Sequence, residues 1–302
     1  MDRLFLCLDV GGTHTRVGVV NDRLEVLDSA IESTAALAVA SVGDGIASLV
    51  AAWASREAWR DRLSGVVVGV PATVDAACRT VLQAPNVEGL SGLPLADLLE
   101  AASGLPVVVE KDVNLLILSD IQDLGIDAGS SVAGIYFGTG VGNALYLGGS
   151  LWRGAHGVAG ELGHVPQLGG TQVCGCGNVG CLECYGGGHR LAGMCAERFP
   201  HTPIGEVFSR HGDAPEVLGF LDSMAIVVAT EANILDPDEV VVGGGIPAME
   251  GFPRKAFEGR VYERLRKPYP AEALSIRYSR QGQLSGLVGG AIRMARVDAP
   301  PA

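Results

Sequence analysis

The sequence predicts an α/β fold of two similar lobes, each built on a largely parallel sheet. Strand-like and helix-like segments alternate along the chain, and two segments, one at the start and one from about residue 130, each pair strands through a glycine-rich turn. No Pro- or Ser-rich linker separates the halves. Alternating strands and helices are typical of parallel sheets covered by helices. We therefore expect two duplicated α/β lobes around a cleft.

The first half opens on an apolar strand that runs into Asp9 and a tight Gly11-Gly12 turn. Two further strand-like stretches follow, so that the start of the chain predicts a β-meander. A buried-strand segment, "GVVVGV", ends at Pro71. The predicted strands are 4–8, 15–20, 24–31, 65–70 and 106–110, and the predicted helices are 44–59, 92–103 and 113–123.

The second half repeats this arrangement. "SSVAGIYFGTGVGNALYLGG" (130–149) predicts two strands joined by a glycine-rich turn, and "DEVVVGGGI" (238–246) predicts a strand that ends in a triple-glycine turn. Further helices are predicted at 186–197, 215–234, 254–266 and from 285, with a strand at 275–278. The two halves thus each have a glycine turn after their first strand.

Composition and charge narrow the function. Of 302 residues, 48% are hydrophobic and 19% charged, and no apolar stretch reaches the length needed to span a bilayer. The first residues meet Asp9 too soon for a signal peptide, so a cytoplasmic location is expected. The net charge is −12 and no Lys/Arg cluster is present, which argues against nucleic-acid binding. Small-molecule chemistry is favoured.

Four of the seven cysteines fall within "HVPQLGGTQVCGCGNVGCLEC" (164–184). A reduced compartment argues against disulfides, and the C-x-x-C at Cys181–Cys184 lacks the strand-and-helix setting of a redox motif. Glycines between the cysteines allow a short loop to bring thiolates together, and tetrahedral Zn²⁺ takes such ligands. The predicted zinc ligands are His164, Cys174, Cys176 and Cys181. Redox chemistry and plain buried thiols are the alternatives. Cys7, Cys78 and Cys195 are interpreted as core residues.

Three glycine turns follow predicted strands and indicate phosphate binding. Without side chains, the backbone N–H groups of such turns can approach phosphate oxygens. Asp9 could hold Mg²⁺ directly or through water. An ordinary hairpin turn is the alternative at each place. The candidate nucleotide-binding residues are Asp9, Gly11, Gly12, Thr13, Arg16, Gly138, Thr139, Gly140, Gly142, Gly243, Gly244 and Gly245.

Carboxylates follow in positions suited to a hydroxylated ligand. Asp112 stands where a predicted strand ends and a helix begins, so it can serve as N-cap, as a base for an alcohol that attacks phosphate, or as both. Glu161, three residues before His164 in "GELGH", and Glu183, after the last proposed zinc thiolate, are carboxylates that could accept hydrogen bonds from sugar hydroxyls. A rigid zinc loop would lower the entropy lost on binding.

Together these residues resemble the ROK family of sugar kinases and repressors. The resemblance covers essentially the whole chain. It rests on the D-x-G-G-T turn at Asp9–Thr13, "APN" at 84–86, D-x-N at Asp112–Asn114, "GAHGVAGELGH" at 154–164, "CGCGNVGCLE" at 174–183 and "VVVGGGI" at 240–246.

The resemblance implies an actin/hexokinase-like (ribonuclease H-like) fold of two lobes, with ATP and sugar in the cleft. Because the last helix commonly packs on the N-terminal lobe in this family, residues 1–118 and about 286–302 are expected to form one lobe. Residues 119–285 are expected to form the other, with the zinc loop 164–184. Members are often dimers, so a homodimer is expected.

The resemblance also implies site residues. Asp112 matches the base that deprotonates the primary hydroxyl of the sugar, and Mg·ATP is the expected phosphate donor. Glu161, His164 and Glu183 match residues that bind sugar hydroxyls, with Ala72, Asn86, Lys111 and Asp112 as further expected substrate contacts. His164 also matches a zinc ligand, beside Cys174, Cys176 and Cys181.

One position departs from the family pattern. The family normally has Asn before its catalytic Asp, and this chain has Lys111. In that feature, and in "DVNL", "GVPA" (69–72) and "LDPDEVVVGGGIPAMEGFPR" (235–254), the chain resembles D-allose kinases. Allose differs from glucose only at carbon 3. The resemblance therefore implies phosphorylation of D-allose at its 6-hydroxyl.

Other functions fit parts of the pattern. A glucokinase or N-acylhexosamine kinase of the same family is the first alternative. A sugar-responsive ROK repressor would need a DNA-binding winged helix before the D-x-G-G-T turn, and only eight residues precede Asp9. A zinc-stabilised sugar-binding module without turnover is the third.

Overall fold

A computed structural model describes residues 2–37, 41–280 and 282–297. The chain divides into two compact units. The first contains Met1–Gly125, Arg153–Ala159 and Gln281–Ala302, and the second contains Ile126–Trp152 and Gly160–Arg280. The first unit thus extends past residue 118, and it includes a seven-residue segment from the middle of the sequence.

Among the described residues, the strands of the first unit are β1 (Leu4–Val10), β2 (His14–Asn21), β3 (Val26–Ser33), β4 (Leu63–Val70), β5 (Thr73–Val74), β6 (Val81–Gln83) and β7 (Val107–Lys111). The strands of the second unit are β8 (Val132–Phe137), β9 (Val141–Leu147), β10 (Ser150–Leu151), β11 (Glu239–Gly243) and β12 (Ser275–Tyr278).

The helices follow the same division. Helices α1 to α4 are Thr34–Leu37, Val42–Ala54, Leu95–Ser103 and Asp112–Asp123. Helices α5 to α9, in the second unit, are Glu183–Gly186, Gly188–Arg198, Val207–His211, Pro215–Leu235 and Arg254–Arg264. The last helix, α10 (Ser285–Val297), belongs to the first unit.

The first unit is built on a five-stranded sheet with the order β3-β2-β1-β4-β7. Strands β1, β4 and β7 are parallel, and β2 and β3 complete an antiparallel meander. Because parallel strands end at the same edge, the segments that follow β1, β4 and β7 lie along one side of this sheet. That edge carries Asp9, Ala72, Lys111 and Asp112.

Both faces of this sheet are covered. Alternate residues of a strand point to opposite faces. Leu4, Leu6 and Leu8 of β1 join the cluster that includes α2 and α3 residues, whereas Phe5 and Cys7 pack with Leu115 of α4 and Leu287 of α10. The uninterrupted apolar strands of the sequence follow from this two-sided burial.

The second unit repeats the topology. Its sheet has the order β10-β9-β8-β11-β12, with β8 and β9 antiparallel and β8, β11 and β12 parallel. Phe137 at the end of β8 packs edge-on against Phe257 of α9, with ring centroids 6.4 Å apart. The predicted duplication of a hairpin-led α/β half is confirmed by these two strand orders.

Contrary to the expectation from the sequence, one described helix, Pro215–Leu235, is long and apolar enough to cross a membrane by length and composition alone. More than half of its apolar window, 56%, is buried within the protein. The core helix of a water-soluble domain has the same features, so this helix is weak support for a membrane span.

Candidate functional site

The turn after β1 brings backbone groups close together. The Gly11 N–H donates to the carbonyl of His14 at 2.9 Å, and Thr34 Oγ1 donates to the Gly11 carbonyl at 2.7 Å. A Cβ on Gly11 would lie 2.9 Å from His14 O, and one on Gly12 would lie 3.2 Å from Asn86 O. Close backbone approach therefore requires glycine at position 11 and favours it at position 12, and the exposed Asn86 lies beside the turn.

Arg16 of β2 lies next to this turn. Its Nη1 is 3.6 Å from Asp9 Oδ2, across the antiparallel pair β1–β2. Its buried Nε has no hydrogen-bond partner within the described part of the chain. Burial raises the pKa of Asp9, and the charge of Arg16 opposes that rise. An orphaned guanidinium nitrogen beside a glycine turn is suited to an anionic oxygen.

Asp112 begins α4 at the end of β7. Its carboxylate is only partly exposed, and this desolvation, together with the charge of Asp9, raises the pKa of Asp112 to about 7. The Val113 N–H donates a 2.8 Å hydrogen bond to the Asp112 carboxylate, and this bond and the charge of Lys111 oppose the rise in the Asp112 pKa. The N-cap interpretation is wrong: Lys111 is the N-cap residue, and Asp112 is the first residue of the helix.

Lys111 is buried, with 6% of its surface exposed. Its Nζ donates to the carbonyl of Ala159 at 3.2 Å. Ala72, which follows β4 along the same sheet edge, is partly buried against the core of the first unit. The first unit therefore brings together Asp9, Arg16, the Gly11-Gly12 turn, Lys111 and Asp112 at the ends of neighbouring strands.

In the second unit, Glu183 lies at the glycine turn after β8. Its Oε2 accepts a bond from the Val141 N–H at 3.4 Å, and a Cβ on Gly140 would overlap the same oxygen. The turn is further fixed by bonds from Gly188 N–H to Gly138 O (2.8 Å) and from His189 N–H to Thr139 O (3.0 Å). Thr139 itself is exposed.

The triple glycine follows β11, next to β8 in the sheet. Gly244 has φ +94°, and its backbone passes so close to Phe137 that any Cβ would overlap Phe137 main-chain atoms. The Ile246 N–H donates to Phe137 O at 3.0 Å. Gly245 is exposed. The turns after β8 and β11 thus lie side by side at one edge of the second sheet.

The predicted zinc ligands form one cluster. The ligand atoms of His164, Cys174, Cys176 and Cys181 all lie within 4.8 Å of one another. Cys176 Sγ is 3.7 Å from Cys181 Sγ, and Cys174 Sγ is 3.6 Å from His164 Nδ1. Ligands bound tetrahedrally to Zn²⁺ at about 2.3 Å for sulfur and about 2.0 Å for nitrogen are about 3.5–3.8 Å apart. The donor set and its spacing therefore fit Zn²⁺.

His164 has two differently placed ring nitrogens. Nδ1 faces the thiols, whereas Nε2 is 3.7 Å from Glu161 Oε2. One histidine can thus ligate a metal through Nδ1 and contact another group through Nε2. Glu183 also touches the cluster, because the Cys174 thiol donates to Glu183 Oε1 at 3.0 Å. The three predicted sugar contacts of this unit, Glu161, His164 and Glu183, are therefore neighbours.

A buried charge cluster was missed by the sequence reasoning. Glu110, which is 1% exposed, accepts bonds from Arg153 and Arg293 and from Asn114. Burial alone would raise the pKa of Glu110, but the two guanidinium charges and these hydrogen bonds lower it below its ordinary value. Cys78, buried as predicted, has its thiol 3.8 Å from Glu110 Oε2. In the sequence, only the place of Glu110 at the end of an apolar predicted strand indicated that its carboxylate is buried and has hydrogen-bond partners.

Comparison with known proteins places the chain in a family. The family model described as "ROK family" matches residues 5–296. An N-acetyl-D-glucosamine kinase of Vibrio atlanticus is 30% identical, over 90% of this chain and 91% of its own length. The chain belongs to the ROK family.

Solved structures agree with this assignment and with the predicted two-lobed, actin/hexokinase-like fold. A ROK hexokinase from Thermus thermophilus superposes with a TM-score of 0.79 at 30% identity, covering 99% of this chain and 100% of that one. A ROK family glucokinase from Streptomyces griseus, crystallised with glucose and AMPPNP, gives a TM-score of 0.78 at 27% identity, covering 96% and 98%.

Proposed function

We propose that this protein is an ATP-dependent hexose kinase that phosphorylates the 6-hydroxyl of a hexose, with D-allose as the favoured substrate. The observation that carries the proposal is the pair of carboxylates at the sheet edge of the first unit, where burial and Asp9 raise the pKa of Asp112 to about 7. A base whose pKa lies near the working pH is suited to proton transfer.

In the proposed reaction, Asp112 orients the hexose and accepts the proton of its 6-hydroxyl. The oxygen then attacks the γ-phosphorus in line, the bond to the β-phosphate oxygen breaks, and ADP leaves. Phosphoryl transfer needs little covalent chemistry from a protein, so most of the acceleration comes from positioning and charge stabilisation. Mg·ATP is the phosphate donor, with Asp9 as the proposed contact to Mg²⁺.

The glycine turns are proposed to hold the nucleotide. Gly11, Gly12 and Thr13 in the first unit, and Gly138 to Gly142 in the second, would bind phosphate oxygens. The orphaned Arg16 Nε supports this assignment, because a phosphate oxygen would satisfy it. The turn at Gly243 to Gly245 is proposed to contact the sugar and base of ATP.

Glu161, His164 and Glu183 are proposed to bind sugar hydroxyls, together with Ala72, Asn86 and Lys111. The zinc site supports this role without supplying chemistry to the reaction. Zn²⁺ held by His164, Cys174, Cys176 and Cys181 would cross-link the loop that carries Glu183, whose Oε1 already contacts Cys174. A fixed loop loses less entropy when the sugar binds.

Lys111 favours allose over glucose in this proposal. An ammonium only donates hydrogen bonds, whereas the amide expected from the family pattern both donates and accepts. The contact to a sugar hydroxyl therefore changes in kind at this position. Glucose or an N-acylhexosamine is the alternative substrate, as the names of the relatives suggest. A cytoplasmic location and a homodimer are part of the same proposal.

A coupled ADP-release assay with Mg·ATP tests the function. The acceptors are D-allose, D-glucose, D-mannose and N-acetyl-D-glucosamine, with Asp112→Ala as the control for Asp112-dependent turnover. The highest kcat/KM is expected for D-allose, with the phosphate on O6 by NMR. Faster turnover of another hexose would favour the alternative kinases. Sugar binding by calorimetry without ADP release from any acceptor would favour a binding module or a sugar-responsive repressor.

A further inference from the structure

The Glu110 carboxylate joins segments that are far apart in the sequence. Its Oε2 accepts bonds from Arg153 Nε (2.9 Å), Arg153 Nη2 (2.5 Å) and Arg293 Nε (3.1 Å). Its Oε1 accepts bonds from Asn114 Nδ2 (2.8 Å) and from the Lys111 N–H (3.2 Å). Each oxygen therefore serves a different part of the first unit.

The Oε1 side holds the start of α4. Asn114 and the Lys111 N–H flank Asp112 on both sides in the sequence, within the first turn of the helix. Lys111 contributes no side-chain cap to that turn. The Glu110 carboxylate thus fixes the backbone that orients the proposed base.

The Oε2 side holds Arg153–Ala159, which we call the strap. Arg153 makes a two-nitrogen contact to Oε2, and the Ala159 N–H donates to the Arg153 carbonyl at 2.9 Å, which ties the two ends of the strap together. At its centre, Gly157 (φ +85°) lies against the backbone of Val74 and Asp75, so closely that a Cβ would overlap it. The strap is therefore a fixed part of the first unit.

The strap in turn holds Lys111. The Ala159 carbonyl, at the end of the strap, accepts the bond from Lys111 Nζ at 3.2 Å. Both arginine side chains are largely shielded from solvent, because only 23% of the Arg153 side chain and 15% of the Arg293 side chain are exposed. A guanidinium that donates from two nitrogens to one buried carboxylate oxygen has a defined geometry. A path of direct contacts thus runs from Glu110 through Arg153 and the strap to Lys111.

We propose that Glu110 is a positioning residue with two outputs: through Asn114 it orients Asp112, and through Arg153 and the strap it orients Lys111. The inference rests on the proposed function, in which Asp112 is the base and Lys111 contacts the sugar. Loss of the Arg153 contact should then weaken hexose binding, whereas loss of the Asn114 contact should slow the transfer step. Arg293 neutralises Glu110 and attaches α10, but it contacts neither output.

Two variants separate the outputs, and a third is the matched control. Arg153→Lys keeps the charge and loses the two-nitrogen contact, so hexose KM should rise about tenfold, the factor equivalent to one charge-assisted hydrogen bond, with kcat little changed. Asn114→Ala should lower kcat about tenfold for the same reason, with a smaller change in KM. Arg293→Lys makes the same substitution at the same carboxylate, where it removes the single contact from Nε, and should leave both constants within about twofold of wild type.

Hydrogen exchange supplies a readout that does not depend on activity. Arg153→Lys should speed amide exchange within residues 153–159, and Arg293→Lys should not. Equal exchange in the two variants, or kinetic losses that simply follow the loss of thermal stability in all three, would overturn the inference. If the wild type phosphorylates no hexose, the proposed function fails, and the exchange result still decides whether Arg153 holds the strap.

Discussion

Burial and the charge of Asp9 raise the pKa of Asp112, although Asp9 and Asp112 are 103 positions apart in the sequence. Asp9 is the last but one residue of β1 and Asp112 follows β7, the parallel strands on either side of β4. Desolvation of the Asp112 carboxylate and the nearby charge of Asp9 both disfavour its ionisation, so the pKa of Asp112 lies near neutral pH. The sheet topology therefore creates the electrostatic condition that a general base requires.

Asp112→Asn should lose most of its turnover while it still binds sugar. An amide cannot accept the hydroxyl proton, and general-base help is worth roughly 10² to 10⁴ in rate. Steady-state kinetics should show kcat lower by that factor, and calorimetry should show hexose affinity within about threefold of wild type. Turnover near the wild-type value would show that Asp112 is not the general base.

The same substitution should stabilise the protein at neutral and higher pH. The pKa of Asp112 is about 7 in the folded protein and has an ordinary value of 3.8, so between these values the folded state binds more protons than the unfolded state. Stability from this group is fully present below about pH 4 and is lost as the pH rises through about 7. Urea unfolding of wild type and Asp112→Asn from pH 4 to pH 8 should show a difference that grows in favour of the variant.

Asp9→Asn is the control for this pH dependence. Asp9→Asn should show a narrower pH window of stability loss than wild type, because it removes both the charge that raises the pKa of Asp112 and the raised pKa of Asp9 itself. A difference between wild type and Asp112→Asn that stays constant across the range would show that the Asp112 pKa is not raised by folding.

If the proposed site holds zinc, Cys176→Ser should lower both the zinc content and the affinity for sugar. Serine is a poor zinc ligand, so metal content measured by elemental analysis should fall. The melting temperature should drop by several degrees, since about 1 kcal/mol corresponds to about 2–4 °C in a domain of this size. Cys184→Ser is the matched control, because Cys184 lies in the same loop and outside the ligand quartet. Full hexose affinity in a metal-free Cys176→Ser protein would break the link between zinc and Glu183.

Gly140→Ala should weaken sugar binding by displacing the Glu183 carboxylate. The new methyl group would overlap Glu183 Oε2, the flexible end of a side chain, so the carboxylate should move at little cost in stability. Hexose KM should rise by about tenfold, as for the loss of one hydrogen bond to a charged group. The comparison is Gly138→Ala in the same turn, whose Cβ meets nothing within 4 Å. Equal hexose KM values in the two variants would contradict a sugar-binding role for Glu183.

Most of the fold follows from local sequence pattern. Strand β12 lies where the sequence predicts it, and α10 begins at the predicted Ser285, because apolar period and glycine breaks are local signals. Helix α2 is predicted to residue 59 but ends at Ala54, where Trp59 Nε1 folds back to the Trp53 carbonyl at 2.8 Å. Strands of two or three residues, such as β5 and β6, are too short to show a period.

The residues of the candidate site could likewise be predicted from the sequence only where the signal is local. The proposed zinc ligands come from a short loop, so their spacing alone predicts the cluster. The Glu110 cluster joins residues 43 and 183 positions apart from Glu110, and no local pattern records such pairings. The end of the first lobe near residue 118 falls inside α4, whose packing against α10 could be seen only in three dimensions.

Lys111→Asn should shift selectivity from D-allose towards D-glucose. The side chain is buried and its Nζ is held by the Ala159 carbonyl, so it presents an ammonium in a defined place. Asparagine is shorter and can also accept a hydrogen bond, which changes how a hydroxyl at carbon 3 is recognised. Because the two hexoses differ only at that carbon, the ratio of their kcat/KM values isolates this contact from effects on ATP or on the base. The ratio should change by about tenfold, the scale of one hydroxyl contact.

Lys111→Met, which keeps the length of the side chain and removes its donors, should lower kcat/KM for both sugars without creating a preference for glucose. An unchanged ratio in Lys111→Asn would show that discrimination at carbon 3 lies elsewhere.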